Sequence, residues 1–249
     1  MIEHHNTIIV IPARMVAAGL PGKPLADIHG SPMIVHVWRR AIAANIGHVL
    51  VAAAENQIAD AVRAAGGDAM VTPLNLASSI DRIAAALAMR DPAKRFEYVL
   101  NLPANVPSID TLTMQRCLAG LTNETVELSS LAAAVVNPSE AGNPNIVKAI
   151  APLSDAREVA YARDFIRKLD DTFEPPFWKH IPIYAYRRDA LEKLASLPPS
   201  TRENLRGLEQ MRALDHDMRM AIVKVDSAPL SVNTPADLEA VRRMFKDDK

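Results

Sequence analysis

Short apolar runs alternate with amphipathic stretches in the first half of the chain, and this alternation restricts the fold more than any other feature. Strands are predicted at Ile8–Ile11, Val49–Ala53, Ala69–Val71 and Tyr98–Leu102. Helices are predicted between them, at Met33–Ala44, Gln57–Ala65 and Ser79–Met89. Such β-α-β units place parallel strands in a sheet that helices cover on both faces. The pattern therefore predicts an α/β fold with three layers and a mainly parallel, doubly wound sheet.

The loop from Arg14 to Leu25 follows the first strand, and ligands bind open parallel sheets beyond the carboxyl ends of their strands. Gly19 and Gly22 let the backbone approach a ligand, while Arg14 and Lys23 can neutralise a polyphosphate. The order of a Walker A loop is missing. A phosphate-binding loop and an ordinary strand-to-helix connection both remain open on these residues alone.

The second half has more mixed signals, with strands predicted at Leu131–Val136, Ile146–Ile150, Ile181–Tyr186 and Met220–Val225. A helix at Ala190–Leu197 should end before Pro198, and the last helix should begin at Thr234-Pro235. Residues 151–179 carry few regular signals and are a candidate irregular or dimerisation segment. No linker divides the chain, so 1–249 is expected to form a single domain.

Charge and cysteine usage limit the classes of partner and compartment. The 28 Lys and Arg residues nearly balance 29 Asp and Glu residues, which leaves no general field for nucleic acid or anionic lipid. Cys117 is the only cysteine, so an internal disulfide and a cysteine-based zinc site are excluded. No run reaches the roughly 20 apolar residues that span a bilayer. We expect a cytoplasmic protein without nucleic-acid or membrane partners.

Two further patterns have competing interpretations. Asp215-His216-Asp217 has the composition of a metal site, but polar turn residues are common between a helix and a strand. We interpret it as a turn. Arg163 and Arg167 are four residues apart and could form an anion-binding helical face or a solvated basic face. The sequence does not decide between these two.

Several motifs in collinear order resemble the 3-deoxy-manno-octulosonate cytidylyltransferases, or CMP-KDO synthetases, of Gram-negative bacteria. The resemblance runs from about Ile8 to about Arg243. It is carried by Ile11-Pro-Ala-Arg14, Leu20-Pro-Gly-Lys-Pro-Leu-Ala-Asp27, Pro32-Met-Ile-Val-His-Val37, Asn143-Pro-Asn-Ile-Val-Lys148, His180-Ile-Pro-Ile-Tyr-Ala-Tyr186, Leu208-Glu-Gln-Met-Arg-Ala-Leu214 and Thr234-Pro-Ala-Asp-Leu238.

The resemblance implies a nucleotidyltransferase-like fold, the fold of nucleotide-diphospho-sugar transferases. It also implies the reaction of CTP with an acidic eight-carbon sugar, 3-deoxy-manno-octulosonate, to give CMP-KDO and pyrophosphate for lipopolysaccharide synthesis. Mg²⁺ is the cofactor and a homodimer the assembly that the family implies.

The same resemblance assigns site residues. Arg14 and Lys23 would hold the triphosphate and act in catalysis. The nucleotide site would comprise Pro12, Ala13, Arg14, Gly22, Lys23, Ser78, Asp81, Arg82 and Asn105. The sugar site would comprise Arg163, His180, Tyr184, Glu209 and Gln210. Asn105 and Asn233 stand at the positions of the family's metal-binding aspartates.

This chain departs from the family pattern at chemically demanding positions. Besides the two asparagines, Ala17-Ala18-Gly19 replaces Ser-Thr-Arg, Ala53-Ala54 replaces Thr-Asp, and Arg206 stands where many relatives have glutamate. Mg²⁺ prefers carboxylate and phosphate oxygens, so two amides should weaken its binding. The exchanges also make the predicted site more positive.

Three functions are therefore compatible with the sequence. The first is the CMP-KDO synthetase reaction. The second is a catalytically impaired or inactive homologue that binds nucleotide or acidic sugar without Mg²⁺. The third is a cytidylyltransferase for another acidic sugar.

Overall fold

The computed structural model describes residues 1–16, 19–135, 140, 142–168 and 177–247. Its contacts divide the chain into two compact units. We call Ile2–Met114 with Pro229–Lys249 the N-terminal unit, and Gln115–Ala228 with Met1 the central unit. Ala17, Ala18, Val136 at the end of a predicted strand, and residues 169–176 of the predicted irregular segment lie outside the described residues.

The N-terminal unit holds the strands and helices of the predicted β-α-β pattern. Its strands are β1 (Thr7–Ala13), β2 (Asp27–Ile28), β3 (Ser31–Pro32), β4 (His48–Ala53), β5 (Ala69–Val71) and β6 (Tyr98–Asn101). Its helices are α1 (Met33–Ala44), α2 (Asn56–Ala64), α3 (Ser79–Arg90) and α8 (Pro235–Asp247), and α4 (Thr111–Ala119) contains the boundary between the units. The predicted bounds of α1 and β5 are confirmed, and the other predicted strands and helices here differ by one or two residues at an end.

The main sheet of this unit has the order β5-β4-β1-β6, and its strands are parallel. Residues Ile8 to Ile11 in β1 are fully buried, as an apolar strand covered on both faces must be. The chain moves from β1 outward to β4 and β5 and then returns to β6 on the other side of β1. The carboxyl ends of β1 and β6 therefore flank the topological switch point, where α/β sheets bind ligands.

The central unit contains a mixed sheet with short helices. Its strands are β7 (Leu128–Ala134), β8 (Lys148–Ile150), β9 (Val159–Tyr161), β10 (Asp164–Ile166), β11 (Trp178–Arg187) and β12 (Met220–Val225). Its helices are α5 (Arg188–Ser196), α6 (Thr201–Arg206) and α7 (Met211–Asp215). The order is β11-β7-β12-β9, with β8 joined to β11 and β10. Only β7 and β12 are parallel among these neighbours.

Two features of the central unit concern the segment 151–179. Its described part contains β9 and β10, whose three residues each are too few to give a periodic signal. Arg163 lies between these strands and Arg167 follows β10, so the helical face that would join them does not exist. The Arg167 guanidinium instead donates from Nε to the Arg206 carbonyl (2.9 Å) and from Nη2 to the Gly207 carbonyl (3.1 Å). The Arg167 side chain therefore hydrogen-bonds backbone carbonyls at the carboxyl end of α6.

No helix in the described ranges combines the length and the apolar character that crossing a bilayer requires.

A buried ion pair joins α6 to α7. Arg212 donates from Nε and Nη2 to the two carboxylate oxygens of Glu203, at 2.8 and 2.7 Å. Both residues are buried, and Glu203 also accepts the Ser200 amide (3.0 Å) at the start of α6. The pair therefore fixes the segment that carries the Leu208-to-Leu214 motif.

Replacing Arg212 with methionine should lower the free energy of unfolding by about 3 kcal/mol, because it leaves the Glu203 carboxylate buried without its cation. Chemical denaturation measures this value. The matched control is Lys193→Met, which removes a partly exposed pair with Glu127 (3.1 Å) and should cost less than about 1 kcal/mol. Equal losses in both variants would contradict the role assigned to the buried pair.

Candidate functional site

The loop after β1 is held in a defined shape by its backbone. The Gly22 amide donates to the Met15 carbonyl (3.0 Å), which closes the loop. Gly22 has φ 71° and precedes a short 3-10 helix, Lys23–Leu25, in which Pro24 is buried. Arg14 is exposed, and the described residues offer its guanidinium no hydrogen-bonding or ion-pair partner. The loop therefore presents one free guanidinium at the carboxyl end of β1.

The Gly19 backbone lies directly against the Asn233 carbonyl. A Cβ atom at residue 19 would be 2.6 Å from the Asn233 oxygen, and φ at this position is +86°. Both conditions require glycine, because other residues are strained at this φ and would collide with the carbonyl. The loop can take this path because residue 19 is not the arginine of the family pattern.

Asn105 and Asn233 are brought together, although 128 positions separate them in the sequence. Asn105 Nδ2 donates to Asn233 Oδ1 (3.0 Å) and to the Val232 carbonyl (3.3 Å). Lys23 Nζ donates to the same Asn233 Oδ1 at 3.5 Å. The Val232 amide in turn donates to the Asn105 carbonyl (2.8 Å). The two asparagines and Lys23 thus form one hydrogen-bonded cluster, which we call the amide-lysine cluster.

These residues do not fit a bound Mg²⁺. Mg²⁺ demands octahedral oxygen ligands and usually one or two carboxylates. Here Asn233 Oδ1 already accepts an amide N–H and an ammonium, and a metal would face the positive Lys23. The nearby Asp237 carboxylate accepts the backbone amides of Asn233 (2.9 Å) and Thr234 (2.8 Å). The described residues also contain no group of three His, Cys, Asp or Glu side chains that could hold a metal ion.

Two ionisable groups at this place influence each other. Burial lowers the pKa of Lys23, and the Asp237 carboxylate acts in the opposite direction. Burial alone would raise the pKa of Asp237, but the backbone hydrogen bonds from Asn233 and Thr234 and the charge of Lys23 lower it overall. The carboxylate is therefore committed to the start of α8 and to Lys23.

Arg82 supports a loop with its buried side chain. Its Nη1 donates to Thr72 Oγ1 (2.5 Å) and to the Pro73 carbonyl (3.2 Å), which fixes the loop after β5. Burial lowers the pKa of Arg82, Glu55 raises it, and Arg14 lowers it further. The charges of Glu55 and Arg14 therefore both act on the Arg82 guanidinium.

Glu55 is a site residue that the sequence analysis did not assign. Its Oε2 accepts the Met15 amide (3.0 Å), so it connects the end of β4 to the loop after β1. Its position directly after Ala53-Ala54, at the carboxyl end of a predicted strand, was the available signal.

Ser78 and Asp81 form the start of α3. Ser78 Oγ accepts the Asp81 amide (3.0 Å), and Asp81 Oδ2 accepts the Ser78 amide (3.1 Å). This reciprocal capping satisfies two backbone donors that a helix terminus leaves free. The pair thereby sets where α3 begins after the loop that Arg82 supports.

In the central unit, the structure brings together His180 and Tyr184 of the predicted sugar site. Their ring centroids are 5.6 Å apart, and Phe165 packs against His180 at 4.8 Å. The Ser130 hydroxyl donates to the Ile183 carbonyl (2.8 Å), so it accepts the N–H of His180 Nε2 (2.9 Å). Ser130, which the sequence analysis did not assign, therefore fixes the orientation of the imidazole.

Burial lowers the pKa of His180 to about 3, so the imidazole is neutral near neutral pH. Burial also raises the pKa of Tyr184, and Tyr186, Glu209 and Cys117 add to the increase. Glu209 thus lies close enough to act on the Tyr184 phenol. This group therefore combines the Tyr184 phenol as a donor with His180 Nδ1 and one carboxylate as acceptors.

The other two predicted sugar-site residues differ in placement. Gln210 is buried at the residue before α7. Arg163 is exposed, and its guanidinium has no hydrogen-bonding or ion-pair partner within the described part of the central unit. The contacts therefore do not join Arg163 to the His180 and Tyr184 group.

Arg206 pairs with an acid of its own unit. It donates from Nη1 to Asp164 Oδ1 (2.5 Å) and to the Phe165 carbonyl (2.8 Å). Asp215 accepts the Ser200 hydroxyl (2.5 Å) and an N–H of Arg202. The arginine at position 206, where many relatives have glutamate, is thus paired with the Asp164 carboxylate. Asp215 is a structural residue at the end of α7.

The buried His180 should make stability depend on pH. Its folded pKa lies below that of an unfolded histidine, so the unfolded chain binds the extra proton. The contribution is complete above about pH 6.5 and is lost as the pH falls toward 3, with a slope of up to about 1.4 kcal/mol per pH unit. Urea unfolding gives the free energy of unfolding at each pH between about pH 5 and about pH 7. This free energy should change less with pH in His180→Gln than in the unaltered protein. An unchanged slope would contradict this assignment.

The fold is that of the nucleotidyltransferase-like proteins, with a cationic loop at the switch point of a parallel sheet. A solved structure of 4-diphosphocytidyl-2C-methyl-D-erythritol synthase from Anaerococcus prevotii shares this fold, with a TM-score of 0.62 and 12% identity over 96% of this chain and 98% of that one. The description "Cytidylyltransferase" belongs to a family model that matches residues 8–220. The chain belongs to this cytidylyltransferase family.

More similar proteins carry a more specific name. The 3-deoxy-manno-octulosonate cytidylyltransferase of Paramagnetospirillum magneticum is 44% identical over 96% of this chain and 97% of its own length. The protein of the same name from Rhodopseudomonas palustris is 47% identical over 95% of this chain and 96% of its own. A structure of CMP:2-keto-3-deoxy-manno-octonic acid synthetase complexed with CTP is 32% identical, covers 98% of this chain and 99% of its own, and has a TM-score of 0.87. The predicted family and fold are confirmed.

Proposed function

We propose that this chain transfers the cytidylyl group of CTP to 3-deoxy-manno-octulosonate, forming CMP-KDO and pyrophosphate. The observation that carries the proposal is the likeness, over 98% of the chain, to a synthetase structure complexed with CTP. The cationic loop at the switch point of the N-terminal unit supports it. The curated relatives of the same name add support from nearly full-length matches.

The chemistry assigns a task to each group. A sugar hydroxyl forms a bond to the α-phosphorus of CTP, the bond from that phosphorus to the β-phosphate oxygen breaks, and pyrophosphate leaves with its electron pair. The hydroxyl proton passes to solvent or buffer base. Within the N-terminal unit, Arg14 and Lys23 neutralise the negative charge on the phosphates. Within the central unit, the Tyr184 phenol and the Glu209 carboxylate hydrogen-bond the sugar hydroxyls, and Nδ1 of neutral His180 is an acceptor. Arg163, Gln210 and the backbone of Pro12 and Ala13 complete the proposed contacts.

Mg²⁺ supports this reaction in the family, as the resemblance implies. Because the amide-lysine cluster does not fit the ion, we assign no step to it. We further propose that the chain acts as a homodimer in the cytoplasm, where CTP is available. No partner other than the nucleotide and the acidic sugar is required by this chemistry.

Pyrophosphate release from CTP and 3-deoxy-manno-octulosonate tests the proposed reaction on the intact protein. Lys23→Met should lower kcat/KM at least about tenfold, because it removes a cation from the phosphates. The matched control, Lys193→Met, removes a lysine of the central unit that pairs with Glu127 and should leave kcat/KM unchanged. Pyrophosphate release only with another acidic 2-keto sugar would identify that sugar as the substrate instead.

The contact between Asn105 and Asn233 favours a second candidate function, a nucleotide-binding homologue without turnover. Two carboxylates could not form this direct hydrogen bond, and the ligand set of the family's metal is thereby altered. Calorimetry that detects CTP binding, together with no pyrophosphate release from any acidic sugar, would select this candidate over the enzyme.

A further inference from the structure

The amide-lysine cluster arranges hydrogen-bond donors where the family pattern places metal ligands. Two aspartates 3.0 Å apart would repel each other and would need a cation between them. The asparagine pair needs none, because one amide donates to the other at this distance. Lys23 already supplies a positive charge at 3.5 Å from the shared oxygen. The arrangement is stable as a polar contact in the absence of an ion.

The surrounding structure fixes this cluster. The backbone of Val232 is bonded to Asn105, and the Asn233 carbonyl closely approaches Gly19. Val232 is itself fully buried in a small apolar core with Ile28, Met33, Leu238 and Val241. Lys23 is positioned by the 3-10 helix that leads into the same core. The donors are therefore preorganised by packing, and they are not arranged by a ligand.

The charges around the cluster favour an anion. Arg14, Lys23 and Arg82 are the cations of this part of the N-terminal unit, and Glu55 and Asp237 are the acids described above. Both acids accept backbone amides, Glu55 from Met15 and Asp237 from Asn233 and Thr234. One oxygen of each carboxylate is thus engaged, and the three cations outnumber the two acids. A polyphosphate would meet the Arg14 guanidinium, the Lys23 ammonium and the remaining N–H of Asn233.

We propose that this chain binds a nucleoside triphosphate as the metal-free polyanion, with the Lys23 ammonium and the Asn233 amide, which Asn105 holds in place, acting instead of a divalent cation. This inference rests on the proposed nucleotide site for CTP. The phosphate oxygens accept N–H donors from the Lys23 ammonium and from the Asn233 N–H that Ser231 does not accept, and Mg²⁺ competes with the protein for those oxygens. Excess Mg²⁺ therefore weakens nucleotide binding, whereas a conventional metal-dependent site gains affinity.

The consequence can be measured with CTP itself as the probe. Titration calorimetry on the intact protein compares binding in EDTA with binding in Mg²⁺ in excess over CTP. We expect the dissociation constant to be higher with Mg²⁺, because the ion competes with the protein for the phosphate oxygens. In EDTA, Lys23→Met should raise it by about tenfold, and Lys193→Met should leave it unchanged. A tenfold or larger gain in affinity from Mg²⁺ in the unaltered protein would overturn the inference. A dissociation constant for Lys23→Met equal to that of the unaltered protein in EDTA would overturn it as well.

A paired variant supplies the converse test. Asn105→Asp with Asn233→Asp restores two carboxylates, so CTP should then bind more tightly with Mg²⁺ than in EDTA. Mn²⁺ binding without nucleotide, followed by electron paramagnetic resonance, should appear in this variant and stay absent from the unaltered protein. Tight Mn²⁺ binding by the unaltered protein would contradict the inference. Circular dichroism on both proteins verifies that the variant is folded.

The outcomes separate this inference from the proposed reaction. Mg²⁺-strengthened CTP binding with pyrophosphate release would sink the inference and leave the reaction standing. Metal-free CTP binding without release from any acidic sugar would support the inference and reject the reaction. Failure to bind CTP under both conditions would overturn both.

Discussion

The parallel pairing of β1 with β4 on one side and β6 on the other is the constraint on which the N-terminal unit depends. Because β1 is paired on both edges and buried on both faces, its direction and register are fixed. The loops after these strands must then emerge at the same edge of the sheet. Glu55 accepts the Met15 amide there for this reason, and Asn105 follows β6 by a few residues. The site is built from strand ends, so its geometry follows from the sheet.

The N-terminal unit tolerates its exchanges from the family pattern by replacing charge with hydrogen bonding. Gly19 allows the loop to approach the Asn233 carbonyl, and the Asn105 amide donates to the Asn233 amide where carboxylates would require a cation. In the central unit, Arg206 donates to Asp164. Asn105, Asn233 and Arg206 thus have partners within the protein, so these residues keep their positions without the metal that the family pattern implies. These residues can therefore depart from the family pattern without losing their places in the fold.

Periodicity predicted most of the regular structure in the N-terminal unit, because parallel strands buried on both faces read as continuous apolar runs. The bounds of α1 match, since Pro32 and Asn45 delimit it in the sequence. The short strands β9 and β10 were missed, as was the small helix α6, because three to six residues hold too little of a period. The four-residue spacing of Arg163 and Arg167 is compatible with a helix. In the structure they adjoin β9 and β10, and the pairing of β9 with β12 and of β10 with β8 decides the backbone conformation there.

The sequence by itself determined the α/β class, the cationic loop after β1 and the family, because these depend on local patterns and ordered motifs. Only the tertiary structure decided what the side chains contact. It showed that Asn105 bonds Asn233, that Arg82 supports a loop, that Glu55 holds the Met15 amide, and that Ser130 orients His180. Contacts of this kind join residues far apart in the chain. Their partners are chosen by how the strands are ordered in the sheet, which no local pattern records.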